Sequence, residues 1–276
     1  MSHNNQKKIA VINDLSGFGR CSIAVALPLI SHLGVQCCPL PTAIFSCHTG
    51  FPSFYFDDYT ESMAPYMGEW KKLGLEFEGI LTGFLGSAKQ IQLVEQFLKD
   101  FTTARTTVII DPVMGDYGKP YPTYTEEMCQ GMKALVGYAD ILTPNLTEAC
   151  ILTDTPYHDK FSEKELLDMA RRLCDQGPRK VVLTGVPRGE FLENYCYEQD
   201  KGPSICRVRR IAPQRSGTGD VFSSIVAAGA VRGVDFSKSV KTAAEFIKIC
   251  LKRSAELDIP TTDGVCFEEV IGKLKF

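Results

Sequence analysis

The amino-acid sequence predicts an α/β fold with a mostly parallel central sheet, helices on both faces of the sheet and a small flap. Short, nearly continuous apolar runs alternate with longer segments of helical periodicity over most of the chain. Glycines and polar residues follow the apolar runs, as at the ends of parallel strands that are buried on both faces. No Pro, Gly or Ser-rich linker and no repeat divides the sequence. We therefore predict a single domain over residues 1–276, with the flap at about residues 45–59.

The composition is that of an ordinary globular protein and excludes some classes of partner. Hydrophobic residues make up 44% of the 276 residues and charged residues 23%, which is enough to build a sizeable core. The net charge of −3 provides no basic stripe for nucleic acid or an anionic membrane. The polar N-terminus and the absence of a membrane-length apolar run predict a cytoplasmic protein.

The cysteines and histidines give no metal or disulfide signature. None of the eleven cysteines forms a C-x-x-C pair, so we expect most of them to be reduced, buried side chains. Cys21 and Cys47 lie near the predicted substrate side, and a reactive thiol there would need an exposed, electropositive setting. The four histidines share no metal-ligand spacing.

The first elements are predicted as a strand, a glycine turn, a helix and a second strand. The apolar residues 9–12 run into Asn13 and Asp14, the glycine-containing residues 15–19 follow, and residues 22–33 have a helical pattern closed by Gly34. Residues 35–44 read as the second strand. The aromatic-rich residues 45–56 lack a helical period, which predicts either a core hairpin or a flap that encloses a flat ring.

From Tyr59 onward helices and strands alternate regularly until a hairpin near Lys201 interrupts them. The predicted helices span residues 61–73, 88–101, 126–138, 163–176, 221–231, 237–257 and 267–274, with one more starting at residue 146. The predicted strands span residues 79–85, 107–110, 141–142 and 180–183, and residues 191–210 form the hairpin.

The segment Ser216-Gly217-Thr218-Gly219-Asp220 predicts a phosphate site. It precedes a segment rich in Ala, Val and Ser that reads as a buried helix, and its glycines leave the first-turn amides uncovered for an anion. Asp220 in the same turn would accept a proton from a hydroxyl that approaches the bound phosphoryl group. The alternative is that Asp220 only caps a helix after a glycine turn.

Polar residues follow three further predicted strands at the same edge of the sheet. Asp111 and Asp116 follow the strand at 107–110, Asn145 and Glu148 follow the strand at 141–142, and Thr184 follows the strand at 180–183. Ligands bind beyond the carboxyl ends of the strands in such sheets, and the three carboxylates are suitable Mg²⁺ ligands. Alternatively, Asp-Pro is a simple turn and Asn-x-x-Glu is a helix cap with its capping partner.

These segments together resemble the vitamin B6 (pyridoxal/pyridoxine) kinases of the ribokinase-like superfamily over nearly the whole chain. The resemblance rests on five segments in order: Phe45-Ser46-Cys47-His48-Thr49-Gly50, Leu81-Thr82-Gly83-Phe84-Leu85-Gly86, Asp111-Pro112-Val113-Met114-Gly115-Asp116, Thr143-Pro144-Asn145-Leu146-Thr147-Glu148-Ala149 and Gly217-Thr218-Gly219-Asp220. It implies a ribokinase-like fold, ATP-dependent phosphorylation of the 5′-hydroxymethyl group of a B6 vitamer, and a homodimer.

The resemblance also implies residue roles. Asp220 is then the catalytic base, and the amides of Gly217, Thr218 and Gly219 form an anion hole. The residues implied at the nucleotide are Asp111, Asn145, Glu148, Thr184 and Thr218. Mg²⁺ is assigned to Asp116, Glu148 and Asp111, and a monovalent cation such as K⁺ to the vicinity of Thr143 and Thr184. The pyridine ring is assigned to Phe45, Thr49, Phe84 and Asp220.

Two departures from the B6 kinases bear on the substrate. The segment from Asn13 to Gly17 is closer to the Asp-x-Ser-Gly of hydroxymethylpyrimidine kinases, and Phe84 stands where a tyrosine is common. We therefore expect Asp14 and Ser16 to help determine which ring substituents are accepted. The alternatives are a hydroxymethylpyrimidine kinase and a noncatalytic protein that binds a B6 vitamer, whereas the phenylalanine-rich flap disfavours a sugar.

Overall fold

A computed structural model describes residues 2–121, 124–211, 213 and 215–276 of the chain. The strands are β1 (Lys8–Phe18), β2 (Gln36–Cys47), β3 (Phe56–Asp58), β4 (Gly79–Thr82), β5 (Thr107–Ile110), β6 (Gly115–Asp116), β7 (Lys119–Pro120), β8 (Ile141–Leu142), β9 (Lys180–Arg188), β10 (Phe191–Glu198) and β11 (Gly202–Arg209). The α-helices are α1 (Ser22–His32), α2 (Thr60–Lys72), α3 (Ala88–Phe101), α4 (Glu126–Val136), α5 (Leu146–Leu152), α6 (Glu163–Cys174), α7 (Thr218–Arg232) and α8 (Phe236–Glu256). Two 3₁₀ turns, Thr261–Asp263 and Ile271–Lys273, follow.

Nine strands form one mixed sheet in the order β11-β10-β9-β8-β5-β4-β1-β2-β3. The six strands from β9 to β2 in that order pair in parallel, and the outer strands β10, β11 and β3 add in antiparallel fashion. The predicted α/β fold with a mostly parallel sheet is therefore confirmed. The predicted hairpin is the β10–β11 pair.

The sheet is covered on both faces, which explains why residues 9–12 of β1 are all apolar. Ala10 and Ile12 pack into a core shared with α2 to α6, whereas Ile9 and Val11 pack into a second core with α1, α7 and α8. Successive side chains of a strand point to opposite faces, so a strand between two layers of helices needs apolar residues at every position. Within the described ranges, no helix combines the length and the apolar character required to cross a membrane.

The glycine turn predicted at residues 15–19 is wrong for residues 15–18, because β1 continues to Phe18. An irregularity between Asn13 and Leu15 shifts the register against β2, and pairing then resumes with Leu15 opposite Ile44 and Ser16 opposite Phe45. At Gly17 a Cβ would lie 3.2 Å from the carbonyl oxygen of Ser46, so glycine suits this close pairing. The turn comes later, at Gly19, which has a φ of 84°.

The predicted helix at residues 267–274 is also wrong, because this region contains only the 3₁₀ turn Ile271–Lys273. Phe267, Val270 and Leu274 are buried at spacings of three and four, a pattern that successive turns satisfy as well as a helix does. Gly272 disfavours helix here, and the segment is too short to form one without support. Of the other predicted elements, α3, β5 and β8 span the predicted residues, and α5 begins at the predicted residue 146. The rest are found with shifted ends.

The aromatic-rich segment forms a hairpin at the β3 edge of the sheet. Phe45 pairs with Phe56, and the Ser46 amide donates to the carbonyl of Tyr55 at 3.0 Å. The Phe45 ring centroid lies 5.7 Å from that of Phe54 and 4.9 Å from that of Phe56. The segment predicted as a flap is thus an antiparallel extension of the sheet held together by aromatic contacts.

Candidate active site

The carboxyl ends of the parallel strands and the beginnings of α5 and α7 meet at one edge of the sheet. Asp111 follows β5, Thr143 follows β8, and Asn145 forms a parallel bridge with Thr184 of β9. The Thr184 amide donates to the carbonyl of Pro144 at 2.9 Å, which joins the two strand ends. The charge of Asp220 raises the pKa of Asp111, and the charge of Asp111 raises the pKa of Glu148, so these three carboxylates lie close enough to interact.

The N-terminus of α7 has the form expected of an anion site. Gly217 is the N-cap residue, with a left-handed φ of 79°, and a Cβ at this position would overlap the carbonyl oxygen of Arg20. Gly219 is exposed, and a Cβ there would meet no atom within 4 Å. The first-turn amides of Thr218 and Gly219 have no intrahelical acceptor, so an anion can approach them.

Asp220 is the third residue of α7. The N-cap residue is Gly217, which has no side-chain hydrogen bond, so Asp220 is not the capping residue of the alternative interpretation. The Asp220 carboxylate accepts hydrogen bonds from the Nδ2 of Asn13 at 3.2 Å and from the main-chain N–H groups of Ser22 and of Asp220 itself. Burial raises the pKa of Asp220 to about 6, and nearby Asp14 adds to the rise that these donors oppose.

Asp14 and Ser16 lie next to Asp220, but they are bonded to each other. The Ser16 hydroxyl donates to Asp14 Oδ2 at 3.0 Å, and the Ser22 hydroxyl donates to Asp14 Oδ1 at 2.5 Å. Asp14 is only 5% exposed and Ser16 only 1%, and burial raises the pKa of Asp14. Contact of Asp14 and Ser16 with a substrate ring stays a prediction.

Three more acidic residues, Asp111, Asp116 and Glu148, have carboxylates with raised pKa values. Burial and the charge of Asp220 raise the pKa of Asp111 to about 8, against hydrogen bonds from the hydroxyls of Ser223 and Thr143. Burial, Asp111 and Asp116 raise the pKa of Glu148 well above its usual value, and burial raises that of Asp116. Carboxylates that are partly buried and close to one another repel each other when they are ionised. A bound cation would reduce this repulsion, so the cluster favours cation binding.

The α5 N-terminus is closed by a capping box formed by Asn145 and Glu148. Glu148 donates its amide to Asn145 Oδ1 at 3.0 Å, and its carboxylate accepts the amide of Asn145 at 2.8 Å and that of Met114 at 3.3 Å. The alternative interpretation, in which Asn145 and Glu148 form a helix cap, is therefore correct for this pair. The Nδ2 of Asn145 donates to the carbonyl of Gly115 at 2.9 Å, which ties the cap to β6.

The residues at this edge fit Mg²⁺ held largely through water. Among the residues that the structure describes, no three His, Cys, Asp or Glu side chains are already arranged as a metal cluster. Glu148 is bonded to two amides, whereas Asp111 and Asp116 are partly exposed. Mg²⁺ keeps most of its waters and takes one or two carboxylates, which this donor set supplies.

Phe45 and Phe84, two of the residues predicted to contact the substrate ring, pack together, whereas Thr49 does not pack with them. The rings of Phe45 and Phe84 meet edge to face with centroids 6.2 Å apart, and the Thr42 hydroxyl donates to the carbonyl of Phe84 at 3.0 Å. Thr49 is exposed in the turn between His48 and Gly50. The His48 Nε2 lies 2.6 Å from the carbonyl oxygen of Thr262, which joins this turn to the C-terminal region.

The hydroxyls of Thr143, Thr184 and Thr218 point to neighbouring carbonyls. The Thr184 and Thr218 hydroxyls donate to the carbonyl oxygens of Pro144 at 3.4 Å and Arg215 at 3.5 Å. The Thr143 hydroxyl, which donates to Asp111, also lies 3.5 Å from the carbonyl oxygen of Ile110.

Cys21 and Cys47 have different surroundings. Burial raises the pKa of Cys21 to about 12, which opposes a reactive thiol, and Cys47 is half-buried with its Sγ 3.3 Å from the carbonyl oxygen of Ser53.

The sequence prediction missed Tyr121, Asn13 and Ser22. Burial and the charges of four carboxylates, beginning with Glu148, raise the pKa of Tyr121, so its hydroxyl lies among the acidic side chains. Tyr121 follows the short β6–β7 hairpin, which has no apolar pattern to reveal it. For Asn13 the sequence contained one signal, because this residue directly precedes Asp14, which was predicted as a site residue.

A family model described as phosphomethylpyrimidine kinase matches residues 72–263. A solved structure of a "putative phosphomethylpyrimidine kinase" from Bacteroides thetaiotaomicron is 37% identical over 100% of this chain and 96% of its own, with a TM-score of 0.97. A second crystal form of that protein, described as with pyridoxal, is 36% identical over 99% of this chain and 96% of its own, with a TM-score of 0.95.

A curated relative is the "Putative pyridoxal kinase" of Caenorhabditis elegans, which is 32% identical over 68% of this chain. The chain spans 61% of the length of that relative. The crystal structure of pyridoxal kinase from Lactobacillus plantarum is 24% identical over 98% of this chain and 97% of its own, with a TM-score of 0.90. At that identity the likeness establishes a shared fold.

Proposed function

Because the chain belongs to the phosphomethylpyrimidine kinase family, we propose that it transfers the γ-phosphoryl group of ATP to the 5′-hydroxymethyl group of pyridoxal, pyridoxine or pyridoxamine. The observation that carries this proposal is the partly exposed Asp220 carboxylate in the first turn of α7, beside amides free to bind a phosphoryl group. The pyridoxal form of the similar Bacteroides protein supports a pyridine substrate.

Asp220 orients the substrate hydroxyl and accepts its proton as the oxygen attacks phosphorus in line. A base whose pKa is about 6 is ionised at neutral pH and still has affinity for a proton. The amides of Gly217, Thr218 and Gly219 hydrogen-bond the phosphoryl oxygens as negative charge develops on them. The bond from phosphorus to the ADP oxygen breaks, and ADP leaves.

In this proposal the nucleotide phosphates are surrounded by Asp111, Asn145, Glu148, Thr184 and Thr218. Asp116, Glu148 and Asp111 would hold Mg²⁺ through water, and the ion would neutralise phosphate charge when bound. Thr143 and Thr184 lie where K⁺ would bind. These roles are supported by the shared edge of the sheet and by the raised pKa of Asp111 and Glu148.

Phe45, Phe84 and Thr49 contact the pyridine ring, and the hairpin at residues 45–59 excludes water from it. The exposed rings of Phe54 and Phe56 next to Phe45 support this role, because exposed aromatic clusters are commonly ligand-binding surfaces. A homodimer stays a prediction from the resemblance.

Hydroxymethylpyrimidine is the second candidate substrate. The description of the family model and the Asp14-Leu15-Ser16-Gly17 segment favour it. A protein that binds a vitamer without turnover is the remaining alternative.

A substrate panel separates these functions. We expect ADP formation from Mg²⁺-ATP to depend on pyridoxal, pyridoxine or pyridoxamine, and to be weaker with hydroxymethylpyrimidine and ribose. Phosphorylated product is identified by mass spectrometry. Preferred turnover of hydroxymethylpyrimidine would select the second candidate, and vitamer binding by calorimetry without ADP release would select the noncatalytic protein.

A further inference from the structure

We infer that Asn13 is a positioning residue for Asp220: its side-chain amide fixes the carboxylate and ties it to the chain at Phe84. This inference rests on the proposed function, because it assigns a partner to the proposed base. Asn13 lies in β1 at the irregularity where its pairing with β2 shifts, is 6% exposed, and places its Nδ2 3.2 Å from Asp220 Oδ1.

The orientation of the Asn13 amide is determined by its other contacts. Its Oδ1 accepts the main-chain N–H of Phe84 at 2.8 Å and that of Asp14 at 2.9 Å. Main-chain N–H groups only donate, so the oxygen must face them and the NH₂ group must face Asp220. A flipped amide would oppose two donors with its NH₂ group and would lose the bond to the carboxylate.

The surroundings of Asn13 leave its side chain no freedom to move away. A Cβ at Gly83 would overlap the Asn13 side chain, so the glycine provides the space that the amide occupies. The main-chain N–H of Ser22 is another donor to Asp220. Ser22 has a left-handed φ of 53°, an uncommon conformation for a residue with a side chain, and its hydroxyl is bonded to Asp14.

Asp220 is thus held by the Asn13 side chain and by main-chain N–H groups, and Asn13 connects it to the residue proposed to contact the ring. The Phe84 amide bonded to Asn13 belongs to the same residue whose ring meets that of Phe45. The base and one wall of the proposed ring site therefore share a rigid support. Small errors in the placement of a reacting group are costly, so loss of this support should lower turnover more than binding.

Asn13→Asp removes the hydrogen-bond donor of the side chain and keeps its acceptor oxygen. An aspartate at this position still accepts the amides of Phe84 and Asp14, but it presents an oxygen to Asp220 instead of a donor. We expect the turnover number to fall about 100-fold, with the KM for ATP near that of the wild type. Asn13→Ala, which removes both functions without adding charge, should lower it about tenfold.

Asn4→Asp is the matched control. Asn4 is a half-buried amide whose Oδ1 accepts the main-chain N–H of Glu76 at 3.0 Å and whose Nδ2 donates to the carbonyl of Gly74 at 3.0 Å. It makes the same kinds of bonds as Asn13, but it lies before the first residues of β1 and β4, away from the strand ends that carry the proposed chemistry. We expect this variant to lose thermal stability and to keep the wild-type turnover number.

Turnover is measured with whichever alcohol of the substrate panel the wild type phosphorylates best. Turnover numbers of Asn13→Asp and Asn13→Ala that match the wild type would overturn the inference, and so would an equal loss in Asn4→Asp. A wild type that phosphorylates no alcohol would refute the proposed function. The inference is then judged by stability alone.

The stability test compares Asn13→Ala in two backgrounds at pH 8. The substitution should lower the melting temperature of the wild type by more than it lowers that of Asp220→Ala, because the hydrogen bond between the two side chains is already absent in the second background. Equal shifts in the two backgrounds would show that Asn13 does not act on Asp220.

Discussion

The helices α5 and α7 begin at the same edge of the sheet, but one N-terminus is closed and the other is open. The side chains of Asn145 and Glu148 close the start of α5 with a reciprocal capping box. The start of α7 has a left-handed glycine, no side-chain cap and an exposed Gly219. The closed end holds the Glu148 carboxylate in place, whereas the open end leaves its first amides without a side-chain acceptor. In the proposed function the two ends therefore contribute differently, with capping side chains at α5 and main-chain amides at α7.

Asp220→Asn should have the largest effect and tests whether chemistry occurs at the open helix end. An amide cannot accept the substrate proton, so the turnover number should fall by about 10³-fold or more, while ATP and vitamer still bind. Steady-state kinetics and calorimetry measure the two effects. A purified variant with near-normal turnover would place the base elsewhere.

Gly217→Ala tests whether the open end requires its glycine. The methyl group would overlap the Arg20 carbonyl oxygen at a φ that disfavours alanine, so we expect a stability loss of about 2 kcal/mol or more and reduced turnover. Gly219→Ala is the stability control, because a Cβ there meets no atom within 4 Å. Equal melting temperatures for the two variants would contradict the role of Gly217.

Asp111→Asn should stabilise the metal-free protein at alkaline pH. The folded-state pKa of Asp111 is raised from 3.8 to about 8, so the folded state favours the protonated carboxyl, and this stability is lost as the pH rises through 8. The melting temperature of the variant should therefore exceed that of the wild type in EDTA at pH 9, with a smaller difference at pH 4. Added Mg²⁺ should narrow the difference at pH 9, and a pH-independent difference would contradict this cause.

Asn145→Ala should have the smallest effect on stability and probes the closed helix end. Loss of an N-cap side chain costs about 1 kcal/mol, measurable by urea unfolding. If Asn145 also contacts the nucleotide, the KM for ATP rises; if the residue only caps α5, the KM is unchanged. Thr125→Ala, which removes the cap of α4, is the matched control for stability.

The sequence predicted the sheet, its helices and the edge where the site lies, because alternating apolar patterns and glycines report directly on burial and turns. It did not predict that β1 continues through Ser16 and Gly17, since that pairing uses main-chain groups of β2. It also missed Asn13 and Tyr121, whose importance depends on side chains that are distant in the sequence. Long-range hydrogen bonds leave no local pattern.

The contact between Gly217 and Arg20 has a consequence for reading natural variation. Position 217 meets a main-chain carbonyl, and every amino acid carries the same carbonyl whatever its side chain. In a saturation library, tolerance at position 217 should stay narrow regardless of which residue occupies position 20. Methods that infer proximity from correlated substitutions would therefore overlook this pair, although it shapes the start of α7.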